Sequence, residues 1–205
     1  MKLYYAPGAS SLAVHICLFE AGLKFTPVKV DLKSKLLPDG SSFTQINPLG
    51  YVPALQLKNG EVLTECPAIL QYIADQSPAS NLAPANGSFA RYKQQSLLNF
   101  IATELHKNFS PLFDPTAAEP TKQAAVQKLQ LRFGQLEQTL VQPQFLTGEQ
   151  FTLADAYLFN VALWARLVKF DLTPYPQLQA YLERIAKRPA VRQALQEEGL
   201  LRHGE

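Results

Sequence analysis

Ser10 and Ser11 stand where a Pro7-Gly8 turn gives way to a run of helical spacing. A hydroxyl at that point lies among free backbone N–H groups and at the positive end of the helix dipole. It can cap the helix, or it can help hold an anion such as a bound thiolate. Glu65-Cys66-Pro67 makes a second strand-to-helix junction. Its free N–H groups suit a carboxylate, and Glu65 can accept from an ammonium group, so together they suit the two ends of an amino acid. Cys66 reads either as a thiol made acidic by the helix start or as a small buried residue; Cys17, in mid-helix, reads as core. Asn99, Thr103 and His106 recur at i, i+4, i+7 and form one polar stripe. Beside it runs an apolar stripe of Leu98, Ile101, Leu105 and Phe109, so the polar one lines a cleft or faces solvent.

Other chemistries fall away. Three histidines and two cysteines are scattered without zinc spacing, so no metal site is expected. No phosphate-cradling glycine loop and no Gly-x-Ser-x-Gly elbow occurs. Nineteen basic residues against 17 acidic ones give a net charge of +2, and no arginine occurs in residues 1–80. That balance argues against nucleic-acid binding. No apolar run is long enough to span a bilayer, no signal peptide is visible, and the cysteines suit a reducing compartment. The expected location is cytoplasmic.

Positioning these residues requires two kinds of structure. Residues 1–80 alternate strand and helix signals: Lys2–Tyr5, a helix from Leu12 stopped by Gly22, a strand over Phe25–Val30, then Val52–Leu57 and Glu61–Thr64. Lys58-Asn59-Gly60 between the last two is a hairpin signal, and Pro67 suits the first turn of the helix that follows. The order predicts a small mixed sheet of about four strands, with one parallel pair and an antiparallel edge. This is a thioredoxin-like α/β domain. Residues 77–87 are linker-like, and residues 87–205 read as an all-α bundle. Its helices run over Ser88–Phe113, Thr121–Val141 and Thr152–Val168, with two shorter ones after Pro174 and near Pro189. Thr152 and Asp155 fit a capping box, with Phe151 able to staple onto Ala156.

Five ordered segments resemble the glutathione S-transferases, most of all the bacterial beta class. They are Met1–Gly8, Ile46–Leu55, Leu63–Glu65, Asn99–Lys107 and Phe151–Tyr157. The resemblance spans nearly the whole chain. It implies the glutathione transferase fold, with a thioredoxin-like glutathione-binding domain at 1–80 and a helical domain at 87–205 contributing the electrophile pocket. It also implies a cytosolic homodimer that joins glutathione, as co-substrate, to small hydrophobic electrophiles. By the same resemblance Pro53 is cis and the backbone at Val52 pairs with glutathione's cysteinyl unit. Lys35 lies near the glycine carboxylate, Glu65 and Cys66 hold the γ-glutamyl end, and Asn99, Thr103 and His106 line the site.

One residue departs from the class. Serine stands at position 10, where the beta class has a cysteine able to form a mixed disulfide with glutathione, which serine cannot do. The hydroxyl that stabilises the thiolate is then Ser10, Ser11 or Tyr5, in that order, with His106 as a further catalytic candidate. Two other readings stay open. One is glutathione-dependent thiol exchange or peroxidase activity through Cys66. The other is a non-catalytic ligand-binding or interaction protein on the same fold. Phe109, Phe113 and Trp164 are apolar candidates for the electrophile pocket.

Overall fold

The computed structural model describes residues 1–201; His203 and the rest of the C-terminus lie outside that description. The described residues pack as two units, one of Met1–Ala83 with residues 188–201, the other of Pro84–Lys187.

In the first unit, β1 (Lys2–Tyr5), α1 (Ser11–Glu20), β2 (Thr26–Lys29), β3 (Ala54–Gln56), β4 (Val62–Thr64) and α2 (Cys66–Gln76) follow one another. The sheet order is β2-β1-β3-β4, with β1–β2 parallel and the other pairs antiparallel. This is the mixed sheet that the order of signals predicts. The β3–β4 turn closes with Leu57 N–H donating to Glu61 O at 2.8 Å, and Gly60 takes φ of +90°, a conformation that favours glycine. One face of the sheet packs Tyr4, Val30, Phe43 and Ala54 together, with Leu37, Ile46 and Val52 against them. Every residue from Ser11 to Leu18 is buried, because α1 is sandwiched rather than amphipathic. It packs on β1, α2 and the last helix, α8 (Pro189–Glu197).

The place of α8 corrects the expected boundary. The sequence pattern assigns it to the helical bundle, but it packs with the sheet unit. Arg188 grips Glu20 through two nitrogens at 2.7 and 2.9 Å, and Glu198 reaches both His15 and the Gly8 N–H. Such long-range pairs leave no local trace in the sequence.

The second unit contains α3 (Phe89–Phe100), a π-helical segment (Ile101–His106), α4 (Lys107–Phe113), α5 (Glu119–Thr139), α6 (Leu153–Leu167) and α7 (Pro176–Ala186). The expected single helix over Ser88–Phe113 is thus interrupted by a π turn. Leu98, Ile101, Leu105 and Phe109 are all buried, as their spacing predicts. The capping box at Thr152 is present. Asp155 carries it further: its buried carboxylate accepts from Leu146 N–H, Thr152 N–H, the Thr152 hydroxyl and the Tyr181 hydroxyl, each at 2.8 Å. Burial pushes the Asp155 pKa up, and these donors pull against it. No helix among the described residues is long and apolar enough to cross a membrane.

Candidate functional site

In the first unit the chain returns three times to one place. Ser10, 6% exposed at the start of α1, donates from Oγ to the Val52 carbonyl at 3.2 Å. Val52 precedes Pro53 through a cis peptide bond. Cys66, at the start of α2, donates from Sγ to the Ser10 carbonyl at 3.5 Å. Ser10, Val52, Pro53 and Cys66 are thus gathered at the sheet end where α1 and α2 begin.

The two serines have different duties. Ser11 is 0% exposed, and its hydroxyl accepts from the Ala6 N–H and donates to the Ala6 carbonyl, both at 3.2 Å. It ties the turn before α1 to itself and has no hydroxyl to spare. Neither serine caps α1 through its side chain, so the expected capping role is not used. Tyr5 sits edge-on to His15 at 5.6 Å between ring centres. Burial, followed by the nearby Glu198 and Glu197, pushes its phenol above the ordinary value. This places Tyr5 beside the α1–α8 contact.

Of its two readings, Cys66 takes that of the small buried residue. Its position at a helix start suggested an acidic thiol, but full burial, with Glu65 adding to it, drives its pKa well above normal. Desolvation outweighs the helix dipole here.

Two flanking residues share an unusual backbone. Lys35 and Glu65 have φ of +59° and +68°, two of four described non-glycine residues in the left-handed region. Such conformations gather at functional sites, because surrounding contacts must hold them. Lys35 Nζ donates to the Gly50 carbonyl at 2.9 Å and lies 5.9 Å from the centre of the Tyr51 ring. Glu65 is exposed and opens α2, its carbonyl accepting from Ala68 and Ile69. Asn47, which the sequence reading passed over, pins the intervening turn: its Nδ2 donates to Tyr51 O at 2.7 Å and its Oδ1 accepts from Leu49 N–H at 3.2 Å. An Asn-Pro pair before a glycine was the available signal. A concavity of about 620 Å³ beside Ala6, Pro7 and Asp31 is lined by none of the candidate residues.

In the second unit, Asn99 and Thr103 are exposed and linked, the Thr103 hydroxyl donating to the Asn99 carbonyl at 3.0 Å. His106 leaves their stripe, since the π segment takes more than 3.6 residues per turn. Its Nδ1 lies 2.7 Å from the Tyr157 hydroxyl, and its ring meets Trp164 edge-on at 4.6 Å. Burial, with Lys107 adding to it, lowers the His106 pKa to about 4. Phe109 and Phe113 both pack edge-on to Trp164, at 5.8 and 5.7 Å, so these three form one aromatic cluster with His106. Among the described residues no set of His, Cys, Asp or Glu side chains gathers as metal ligands.

Comparison with known proteins agrees with this layout. Residues 1–75 match the glutathione S-transferase N-terminal domain, and residues 100–189 match the glutathione S-transferase C-terminal domain. A glutathione S-transferase GstA from Escherichia coli O157:H7 is 46% identical over 98% of this chain and 100% of its own. A sphingomonad glutathione S-transferase solved with glutathione is 48% identical, covering 98% of this chain and 100% of its own, with a TM-score of 0.94. A bacterial beta class transferase from Sphingomonas chungbukensis is 47% identical over the same shares of the two chains, with a TM-score of 0.95. With a thioredoxin-like sheet unit, a helical unit, and this similarity along its whole length to enzymes of the beta class, the chain belongs to the glutathione S-transferase family.

Proposed function

We propose that this transferase ionises the thiol of glutathione and directs the thiolate at a small hydrophobic electrophile. The observation that carries the reading is the meeting of Ser10 Oγ with the Val52 carbonyl beside cis-Pro53, at the start of α1. A Ser10 hydroxyl turned from that carbonyl to a bound sulfur donates to the thiolate, and the α1 dipole adds to its effect. Together they lower the thiol pKa by one to two units, about 1.5–3 kcal/mol. The thiolate displaces a leaving group from the electrophile, and no covalent enzyme intermediate is required.

Lys35 and the backbone around Val52 hold the glycine and cysteinyl parts of the tripeptide, and Glu65 with the Cys66 N–H holds the γ-glutamyl end. Asn99, Thr103 and His106 are the further candidates to bind glutathione, and Phe109, Phe113 and Trp164 are the candidates to receive the electrophile. The working form is a cytoplasmic homodimer. Thiol exchange through Cys66 is disfavoured, because a buried thiol with a raised pKa supplies little thiolate.

Conjugation of glutathione to a chlorinated dinitrobenzene, with ultraviolet titration of the bound thiol, tests the reading. A glutathione-dependent rate and a thiol pKa below that in free solution are expected. Calorimetric binding of glutathione without turnover across several electrophiles would favour the ligand-binding alternative instead.

A further inference from the structure

The bond between Tyr157 and His106 is unused by the reading above. Tyr157 is 1% exposed on α6, and its hydroxyl meets His106 Nδ1 at 2.7 Å. The His106 ring stands edge-on to Tyr157 at 6.0 Å and to Trp164 at 4.6 Å, so α6 restrains it through two aromatic side chains. The first turn of α6 is itself anchored by the donors that converge on Asp155. On the other side, the π segment delivers the imidazole to this place. No described residue bonds His106 Nε2.

We propose that Tyr157 is a positioning residue for transfer: its hydroxyl donates to His106 Nδ1, keeps the ring proton on Nε2, and sets Nε2–H as a hydrogen-bond donor to glutathione. The chemistry of the two groups favours this direction. An imidazole nitrogen accepts a hydrogen bond better than a phenol oxygen, and a phenol donates well. Burial beside Lys107 keeps the ring neutral, leaving it one N–H to place, and the partner of one nitrogen decides the tautomer of the other. A neutral ring with its tautomer fixed is a directed donor that adds no charge next to Lys107. The proposal rests on the reading of His106 as a lining residue.

Tyr157→Phe removes a single oxygen and tests it. Nitrogen-15 spectra of histidine-labelled enzyme, with the His106 signals identified through His106→Gln, report the tautomer directly. The wild type is expected in the Nε2–H form, and Tyr157→Phe is expected to gain the Nδ1–H form. The KM for glutathione should rise about three- to tenfold in Tyr157→Phe, and the same change in a His106→Gln background should add nothing. An Nδ1–H wild type, an unchanged His106 spectrum in Tyr157→Phe, or an equal KM penalty in both backgrounds overturns the proposal. If His106→Gln alone leaves glutathione use intact, the lining role of His106 fails and the proposal with it, whatever the tautomer. The wild-type spectrum keeps the tautomer assignment falsifiable even if the Phe variant folds poorly.

Discussion

Glu198 and His15 are bonded at 3.0 Å with neither side chain exposed to solvent. The same carboxylate accepts from the Gly8 N–H at 2.8 Å, and the second ring nitrogen of His15 meets Glu197 at 3.1 Å. One acidic side chain thus ties α8 to α1 and to the turn that leads into Ser10. Removing either partner leaves a buried polar atom of the other without its bond, which typically costs about 1–3 kcal/mol. Glu198→Ala and His15→Ala should both lower the urea midpoint strongly, and the double variant should cost less than the two summed. Glu198→Ala should also raise the KM for glutathione, because Gly8 loses its anchor. Additive effects of the two substitutions would contradict the coupling.

The two serines separate chemistry from structure. Ser10→Ala should return the bound thiol pKa toward its solution value and slow conjugation about ten- to a hundredfold, with little loss of stability. Ser11→Ala should do the reverse, because its hydroxyl serves only the Ala6 backbone. Ultraviolet titration of the enzyme–glutathione complex reads the first effect and chemical denaturation the second. Ser10→Cys restores the residue type that the class carries, and incubation with oxidised glutathione should then give a mixed disulfide visible by mass spectrometry.

What was legible follows from the range of the interactions. The hairpin at Asn59-Gly60, the Pro67 helix start and the cap at Thr152 and Asp155 are local chemistry, and all appear in the structure. The His15–Glu198 bond spans 183 residues, so nothing near α8 announces that it belongs with the sheet unit. The polar stripe at Asn99, Thr103 and His106 assumes ideal α spacing, and the π segment shifts that spacing without a proline or glycine to mark it. The helix-start position of Cys66 is visible in the sequence and its burial is not, so only the fold separates the acidic-thiol reading from the buried one.

Cys66 offers a direct separation of transfer from redox chemistry. Its thiol is buried and its pKa raised, so alkylation by iodoacetamide near neutral pH should be slow in the folded enzyme and fast in denaturant. Cys66→Ser keeps a donor for the Ser10 carbonyl and should leave conjugation within a fewfold of wild type. Loss of activity in that variant with the fold intact would restore the cysteine-dependent alternative.

Lys35 depends on a glycine. Gly50 has φ of +64°, and a Cβ there would lie 3.2 Å from Lys35 Cδ and 3.3 Å from Cε. Gly50→Ala therefore strains the backbone and pushes Lys35 from the carbonyl it now bonds. The expected result is a raised KM for glutathione with kcat less affected, since Lys35 binds an end of the tripeptide and not the sulfur. Lys35→Ala should give the same pattern without the stability loss. A fall in kcat with KM unchanged would remove Lys35 from the binding role.

His106 fixes a pH dependence whose sign follows from its environment. Its pKa falls from 6.5 to about 4 in the folded protein, because burial, and then Lys107, disfavour the charged ring. At neutral pH both folded and unfolded forms hold it uncharged, and it adds no pH dependence. Between about pH 6.5 and 4 the unfolded chain binds the proton and the folded chain does not, so stability is lost as the pH is lowered, by on the order of 3 kcal/mol across the window. Urea denaturation at several pH values, compared with His106→Gln, isolates this contribution: the acid slope should be shallower in the variant. The same low pKa means that kcat/KM should have no inflection near 6.5 from this residue, so any inflection there that vanishes in His106→Gln contradicts a neutral, half-buried ring.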